Sequence, residues 1–73
     1  MVLDTQGNKE LILNDLYNSY GGMMSAADVG KYLGLKHHIS YEKWLKGLPV
    51  VVVNGRKRWR VSDIAEKINK NII

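Results

Sequence analysis

The chain of 73 residues has no cysteine and no long hydrophobic run. Without cysteine it can form neither a disulfide framework nor a thiolate metal site. No stretch approaches the roughly 18 apolar residues of a membrane-spanning helix, so we expect no membrane partner. A chain of this length builds one domain, over residues 1–73, whose small core must be held together by apolar packing alone.

Motifs for catalysis and for cofactors are also missing. The seven glycines fall in neither of the two phosphate-loop patterns, GxGxxG and GxxxxGK[ST]. His37 and His38 are adjacent, so they point in different directions on a helix, and no carboxylate or thiol completes a metal site with them. We therefore expect no enzyme, no metal and no cofactor. Residues 1–4 lack the charge and apolar order of a signal peptide, which together with the lack of cysteine predicts a cytoplasmic protein.

Positive charge is concentrated in the second half of the sequence. Residues 1–35 hold two lysines against four carboxylates, a net charge of −2. Residues 36–73 hold nine lysines or arginines against three carboxylates, a net charge of +6. Such asymmetry is typical of proteins that bind nucleic acids.

The N-terminal part predicts a loose tail followed by a helix. Residues 1–7 show no periodicity, whereas Asn8 can cap a helix that runs to about Tyr20 and ends at Gly21. Apolar side chains recur at spacings of three and four along this helix and form one stripe. The stripe consists of Ile12, Leu13, Leu16, Tyr17 and Tyr20.

A second helix is predicted to begin at a capping box. Ser25 and Asp28 stand three residues apart, and Gly34 ends the helix, with Leu35 filling the core from inside the turn. Gly30 lies within this helix at a cost of about 1 kcal/mol relative to alanine. We interpret Gly30 as a point of close helix–helix approach.

A third helix follows after a short turn and extends from about His38 to Lys46, before Gly47 and Pro49. Its spacing turns Tyr41, Trp44, Leu45 and Leu48 inward. It leaves Ser40, Lys43, Lys46 and His37 turned outward. The short connection predicts two helices that cross steeply, as in a helix-turn-helix.

Residues 50–61 predict a basic β-hairpin. Two β-forming runs meet at Asn54-Gly55, the dipeptide that most readily forms a type I′ turn. Alternation places Trp59 and Val61 on one face, over the core, and Lys57 near the tip on that same side. It places Arg56, Arg58 and Arg60 on the opposite face.

A short final helix completes the order of elements. Ser62 or Asp63 caps about seven residues, with Ile64, Ala65 and Ile68 inward, and residues 69–73 are expected to fray. The order is helix, helix, turn, helix, hairpin, helix. The sequence therefore predicts a mainly α domain with a small β-hairpin, arranged as a winged helix-turn-helix.

Three segments resemble one family of DNA-binding domains. They are SAADVGKYLGL at residues 25–35, WLKGLP at residues 44–49 and GRKRWRVSDI at residues 55–64. Together they are similar to the excisionase and MerR-type winged helix-turn-helix over residues 23–68. Two departures are the helix at 8–20, which either extends the core or offers a dimer surface, and a segment before Trp44 that is one residue longer than usual.

The resemblance implies double-stranded DNA binding by a recognition helix in the major groove and a wing on the minor groove or the backbone. The biological role would be a small transcriptional regulator or a recombination directionality factor, acting as a homodimer, in a cooperative array or with a recombinase. The candidate DNA-binding residues are His37, His38, Ser40, Lys43, Lys46, Arg56, Lys57, Arg58 and Arg60.

Two other functions are compatible with the sequence. The chain could be a protein-interaction module, such as the nucleating subunit of a phage DNA-packaging complex of the terminase small-subunit type or of a recombination complex. In that case the apolar stripe of the first helix would contact a partner instead of the core. RNA binding is less well supported, because the exposed aromatic pairs expected on an RNA-binding sheet are missing.

Overall fold

The computed structural model describes residues 5–71 and shows four helices and a three-stranded antiparallel sheet. The strand order is β1-β3-β2, so the longest strand lies in the centre. In chain order the elements are α1 (Thr5–Tyr20), β1 (Met23–Met24), α2 (Ala26–Leu33), α3 (His38–Leu45), β2 (Val51–Val53), β3 (Arg56–Arg60) and α4 (Val61–Lys70).

Helix α1 begins at Thr5, earlier than the predicted start at Asn8. Part of the predicted loose tail, residues 5–7, is therefore helical, and residues 1–4 lie outside the described part of the chain. Gly7 disfavours a helix by only about 1 kcal/mol, which packing of the later turns can override. The helix thus begins before the position that its sequence signal indicates.

The apolar stripe of α1 packs mostly inside this chain. Leu16 is fully buried, and Ile12, Leu13 and Tyr20 pack against the buried cluster, while Tyr17 is exposed. Helix α1 lies chiefly against α4. The buried cluster joins every layer of the fold. It comprises Leu16, Met24, Val29, Leu45, Val61, Ile64 and Ala65.

Helix α2 begins and ends as its sequence predicts. The Ser25 hydroxyl accepts a hydrogen bond from the Asp28 N–H at 3.1 Å, and the Asp28 carboxylate accepts one from the Ser25 N–H at 3.2 Å. This capping box satisfies two N–H groups at the start of the helix. Gly34 closes the helix in the left-handed conformation, with φ of 75°.

Strand β1 has no counterpart among the predicted elements. Met24 pairs with Trp59 and Met23 with Arg60, so β1 forms the second edge of the sheet. The Val61 N–H then donates a hydrogen bond to the Gly22 carbonyl at 3.1 Å. A two-residue strand carries too little periodicity to be recognised in a sequence.

Helix α4 begins at Val61, two or three residues before the start that a cap at Ser62 or Asp63 predicts, and contains ten residues instead of about seven. Arg60 occupies the capping position without a side-chain capping bond, so neither Ser62 nor Asp63 is the N-cap. Val61 was predicted to be the last strand residue. It is instead the first helical residue and is buried, because the chain turns into the core where the sheet ends.

Gly30 allows the close approach of α2 and α3 that its position predicts. A Cβ atom at Gly30 would lie 2.4 Å from Cδ2 of Tyr41 and 3.0 Å from the backbone oxygen of Leu35. The ring of Tyr41 therefore packs directly on the α2 backbone, and this contact fixes how α3 is rotated about its axis.

We expect Gly30→Ala to destabilise the protein by about 1–2 kcal/mol, because the clash with Tyr41 outweighs the gain in helix propensity. Urea denaturation measures the free energy of unfolding. In a Tyr41→Ala background the ring is gone and the Leu35 carbonyl oxygen, at 3.0 Å, still opposes the new Cβ, so the cost of Gly30→Ala should fall clearly below its value in the natural protein. An equal cost in both backgrounds would contradict the contact as its cause.

A hydrogen bond near the surface ties α1 to α2. The Tyr32 hydroxyl donates to the Asp15 carboxylate at 2.6 Å, and the Tyr32 ring meets Tyr20 edge to face at 6.2 Å. This hydrogen bond, followed by partial burial and the negative charge of Asp15, raises the pKa of Tyr32 to about 12. The folded protein therefore keeps the phenol protonated at a pH at which the unfolded chain loses the proton.

We expect Tyr32 to add stability below about pH 10, the pKa of an unperturbed tyrosine, and to lose this contribution between about pH 10 and 12. The contribution should stay below about 1 kcal/mol, because solvent screens a pair at the surface. The unfolding free energies of the natural protein and of Tyr32→Phe should therefore converge over that pH range. A constant difference from pH 8 to pH 12 would show that the hydrogen bond to Asp15 does not carry the effect.

Candidate nucleic-acid interface

A groove of about 840 Å³ lies between α3, the start of α2 and the β2–β3 hairpin, and we call it the α3–hairpin groove. Four cationic side chains line it, one from α3, one from the residue that caps its C-terminus and two from β3, against the single carboxylate of Glu42. The cationic side chains are Lys43, Lys46, Lys57 and Arg58. The groove thus has a net charge of +3, contributed by two separate elements.

The amphipathic spacing of α3 determines which side chains line the groove. Trp44 and Leu45 pack into or against the core, as their spacing predicts. The residues at positions i, i+3, i+4 and i+7 from Ile39 then share the opposite face. These groove-lining residues are Ile39, Glu42, Lys43 and Lys46.

The hairpin owes its shape to its turn. Asn54 and Gly55 both have positive φ, at 51° and 76°, as a type I′ turn requires and as the sequence predicts. The register pairs Val52 with Lys57 and Val53 with Arg56. Directly paired residues share a face of an antiparallel sheet.

The predicted alternation of β3 is therefore confirmed by the pairing. Trp59 lies opposite the fully buried Met24 and packs against the core. On the other face Arg56, Arg58 and Arg60 lie opposite Val53, Val51 and Met23. Arg58, in the middle of the strand, lines the groove and also a smaller depression that includes Arg56 and Met23.

Arg60 is held by a carboxylate of its own chain. Its Nε donates to Asp63 Oδ2 at 2.8 Å, and Nη2 donates to Asp63 Oδ1 at 3.2 Å. The side chain of Arg60 remains 52% exposed, whereas that of Asp63 is 16% exposed. A bidentate pair of this kind is among the stronger ion-pair geometries, so Arg60 must give up Asp63 before it contacts an external anion with the same atoms.

Lys67 contacts other residues of the fold and does not line the groove. Its Nζ donates a hydrogen bond to the Trp44 carbonyl and lies 4.7 Å from the centre of the Trp44 ring. Positive charge near the last carbonyls of α3 is favourable because of the helix dipole. This contact ties α4 to the C-terminal turn of α3.

The structure brings together four of the nine predicted site residues in the groove. Arg56 lies in the neighbouring depression, and Arg60 is paired with Asp63. His37, His38 and Ser40 are exposed at the start of α3 but do not line the groove. His37 is the N-cap of α3 and makes no capping hydrogen bond through its side chain.

Among the exposed α3 residues that line the groove, sequence reasoning missed Ile39 and Glu42 as site residues. Their spacing from Lys43 and Lys46 contains the signal, since all four fall on one helical face. A search for basic and polar side chains passes over an isoleucine and a carboxylate. Within residues 5–71 no group of three His, Cys, Asp or Glu side chains is arranged to hold a metal ion. In the same range no helix combines the length and the apolar character needed to cross a membrane.

Comparison with protein-family models, curated proteins and solved structures finds no match to this chain. The interpretation of the groove therefore depends on its own geometry and charge.

Releasing Arg60 should strengthen the binding of anions. We expect Asp63→Asn to elute from a heparin column at higher salt, because the variant frees an exposed guanidinium beside the hairpin. Glu66→Gln is the matched control, since it also adds one unit of net charge on α4 but frees only Lys70. Equal retention of the two variants would show that net charge alone matters.

Proposed function

We propose that this chain is a winged helix-turn-helix domain that binds double-stranded DNA. In this proposal α2 and α3 form the helix-turn-helix, with α3 as the recognition helix, and the β2–β3 hairpin is the wing. The observation that carries it is the α3–hairpin groove, in which cations from the helix and from the hairpin face a common space. A duplex is the polyanion whose charge spacing suits two such elements at once.

The dimensions of α3 support its proposed position. A helix with its side chains is about 10–12 Å in diameter and the major groove is about 12 Å wide, so the eight residues of α3 can lie within it. The N-terminal residues of a recognition helix contact base edges. In this position His37, His38 and Ser40, at the N-terminus of α3, would contact bases or phosphates. Lys43 and Lys46 would lie further along the DNA major groove.

The hairpin would contact the adjacent backbone or minor groove. Lys57 and Arg58 face the groove, and Arg56 lies beside the turn, so all three can reach phosphates. Arg60 would join them after it leaves Asp63. Phosphate contacts of this kind fix the register of the protein on DNA without reading its sequence.

The role that follows is regulatory or architectural and does not involve catalysis. The motifs at residues 25–35, 44–49 and 55–64 resemble the excisionase and MerR-type domains, which favours a cytoplasmic transcriptional regulator or a recombination directionality factor. A single module of this size covers few base pairs, so useful affinity calls for a homodimer, a cooperative array or a recombinase partner.

The alternative, a nucleating subunit that binds proteins through the stripe of α1, has less support. Leu16 and its neighbours in that stripe pack on the core, so a partner cannot use them without unfolding the domain. Leu11 and Tyr17 remain exposed on α1. They do not form the continuous stripe that the alternative requires.

The salt dependence of DNA binding tests the proposal. The equilibrium constant for a random-sequence duplex should fall linearly with salt on logarithmic axes, because each neutralised phosphate releases counterions. Replacing both Lys57 and Arg58 by glutamine should reduce the slope by about 1.8, which is about 0.9 for each lost phosphate contact. Fluorescence anisotropy over a salt series measures the slope.

Lys31→Gln combined with Lys70→Gln is the control, since it removes the same charge from exposed positions outside the groove. The control should leave the slope nearly unchanged. If the groove variant kept the natural slope, the hairpin would not be part of the interface. If the natural protein showed no affinity for duplex DNA at low salt, the proposed function would be wrong.

A further inference from the structure

Ile39 is an apolar side chain that does not pack against the core. It is 64% exposed, and it is the exposed large hydrophobic residue of α3, whose other apolar side chains are buried or half-buried. It does not belong to the buried cluster or to the residues packed against it. Its exposure therefore has no explanation in the stability of the domain.

The surroundings of Ile39 are those of a contact residue. It is the second residue of α3 and lines the α3–hairpin groove on the same helical face as Lys43 and Lys46. The packing of Tyr41 on Gly30 fixes the rotation of α3, so this face cannot turn away from the groove. An apolar group is thus held at the N-terminal end of a face that is otherwise charged.

The chemistry of the major groove offers one apolar partner at this place. Each base edge presents hydrogen-bonding groups there, and thymine alone adds a methyl group, at C5. An isoleucine makes no hydrogen bond, but it excludes water from such a methyl group. We infer that Ile39 is a specificity-determining residue that recognises the C5 methyl group of a thymine. This inference rests on the proposed function, since it assumes that α3 enters the major groove.

The test compares thymine with uracil, which lacks only that methyl group. A short duplex is first recovered with the natural protein by selection from a random pool. Each thymine in it is then replaced singly by uracil. At one position the affinity of the natural protein should fall about fourfold, the effect expected for one buried methyl group. Two further duplexes carry cytosine or 5-methylcytosine at the position of that thymine. The natural protein should bind the methylated duplex more tightly, by a factor similar to that between thymine and uracil.

The variant Ile39→Ala should lose this discrimination. Its affinities for the thymine and uracil duplexes should agree within about 1.5-fold, because alanine is too short to cover the methyl group. Leu11→Ala is the matched control, since Leu11 on α1 is similarly exposed, at 68%, but lines neither the groove nor the smaller depression. It should discriminate between thymine and uracil as the natural protein does. Circular dichroism checks that both variants remain folded.

The outcomes separate the inference from the function on which it rests. Salt-dependent duplex binding without any uracil-sensitive position would overturn the role of Ile39 and leave DNA binding standing. A uracil effect that persists in Ile39→Ala would assign the methyl contact to another residue, which also overturns the inference. Absence of binding to every duplex in the pool would overturn both.

Discussion

The pairing of β1 with β3 is the interaction on which the rest of the structure depends. Met23 and Met24 follow α1 and precede α2, so their hydrogen bonds to the central strand join the helical part of the chain to the hairpin. An isolated two-stranded hairpin is only marginally stable in water. Here the fully buried Met24 lies opposite Trp59, and β3 continues directly into α4. These contacts join the hairpin and α4 to the segment between α1 and α2.

Some basic side chains of the second half of the sequence bond to other residues of the chain, and others line the groove. Lys67 packs on Trp44 and bonds its carbonyl, while Arg60 is held by Asp63. Both contacts stabilise α4, one at its start and one in its last turns. The cations that face the groove carry no ion pair with a described residue. A count of charges along the sequence therefore overestimates the number available to an anion, and the coordinates identify which ones are free.

Local signals explain why some elements could be predicted and others could not. The capping box at Ser25, the left-handed Gly34 and the Asn54-Gly55 turn each depend on a few adjacent residues, and all three are found as expected. Strand β1 and the start of α4 at Val61 depend on pairing or packing with distant parts of the chain. Lys43 and Lys46, which line the groove, could be predicted because the spacing along α3 turns them outward. The sequence predicts Arg60 to be a DNA-contacting residue, whereas it pairs with Asp63, because α4 begins directly after β3, two or three residues earlier than its sequence signal indicates.

The composition of the groove bears on what such a site can select. Cations alone bind any duplex, because phosphates are the same at every base pair. Glu42 opposes that attraction and Ile39 adds nothing to it, so neither residue serves the binding of a generic polyanion. A carboxylate can accept a hydrogen bond from the amino group of cytosine, and an alkyl group can cover a thymine methyl. A groove serving only to hold the backbone would gain by replacing both residues with lysine. Ile39 and Glu42 share the exposed face of α3 that carries Lys43, so in the proposed complex this face combines positive charge with groups able to distinguish base edges.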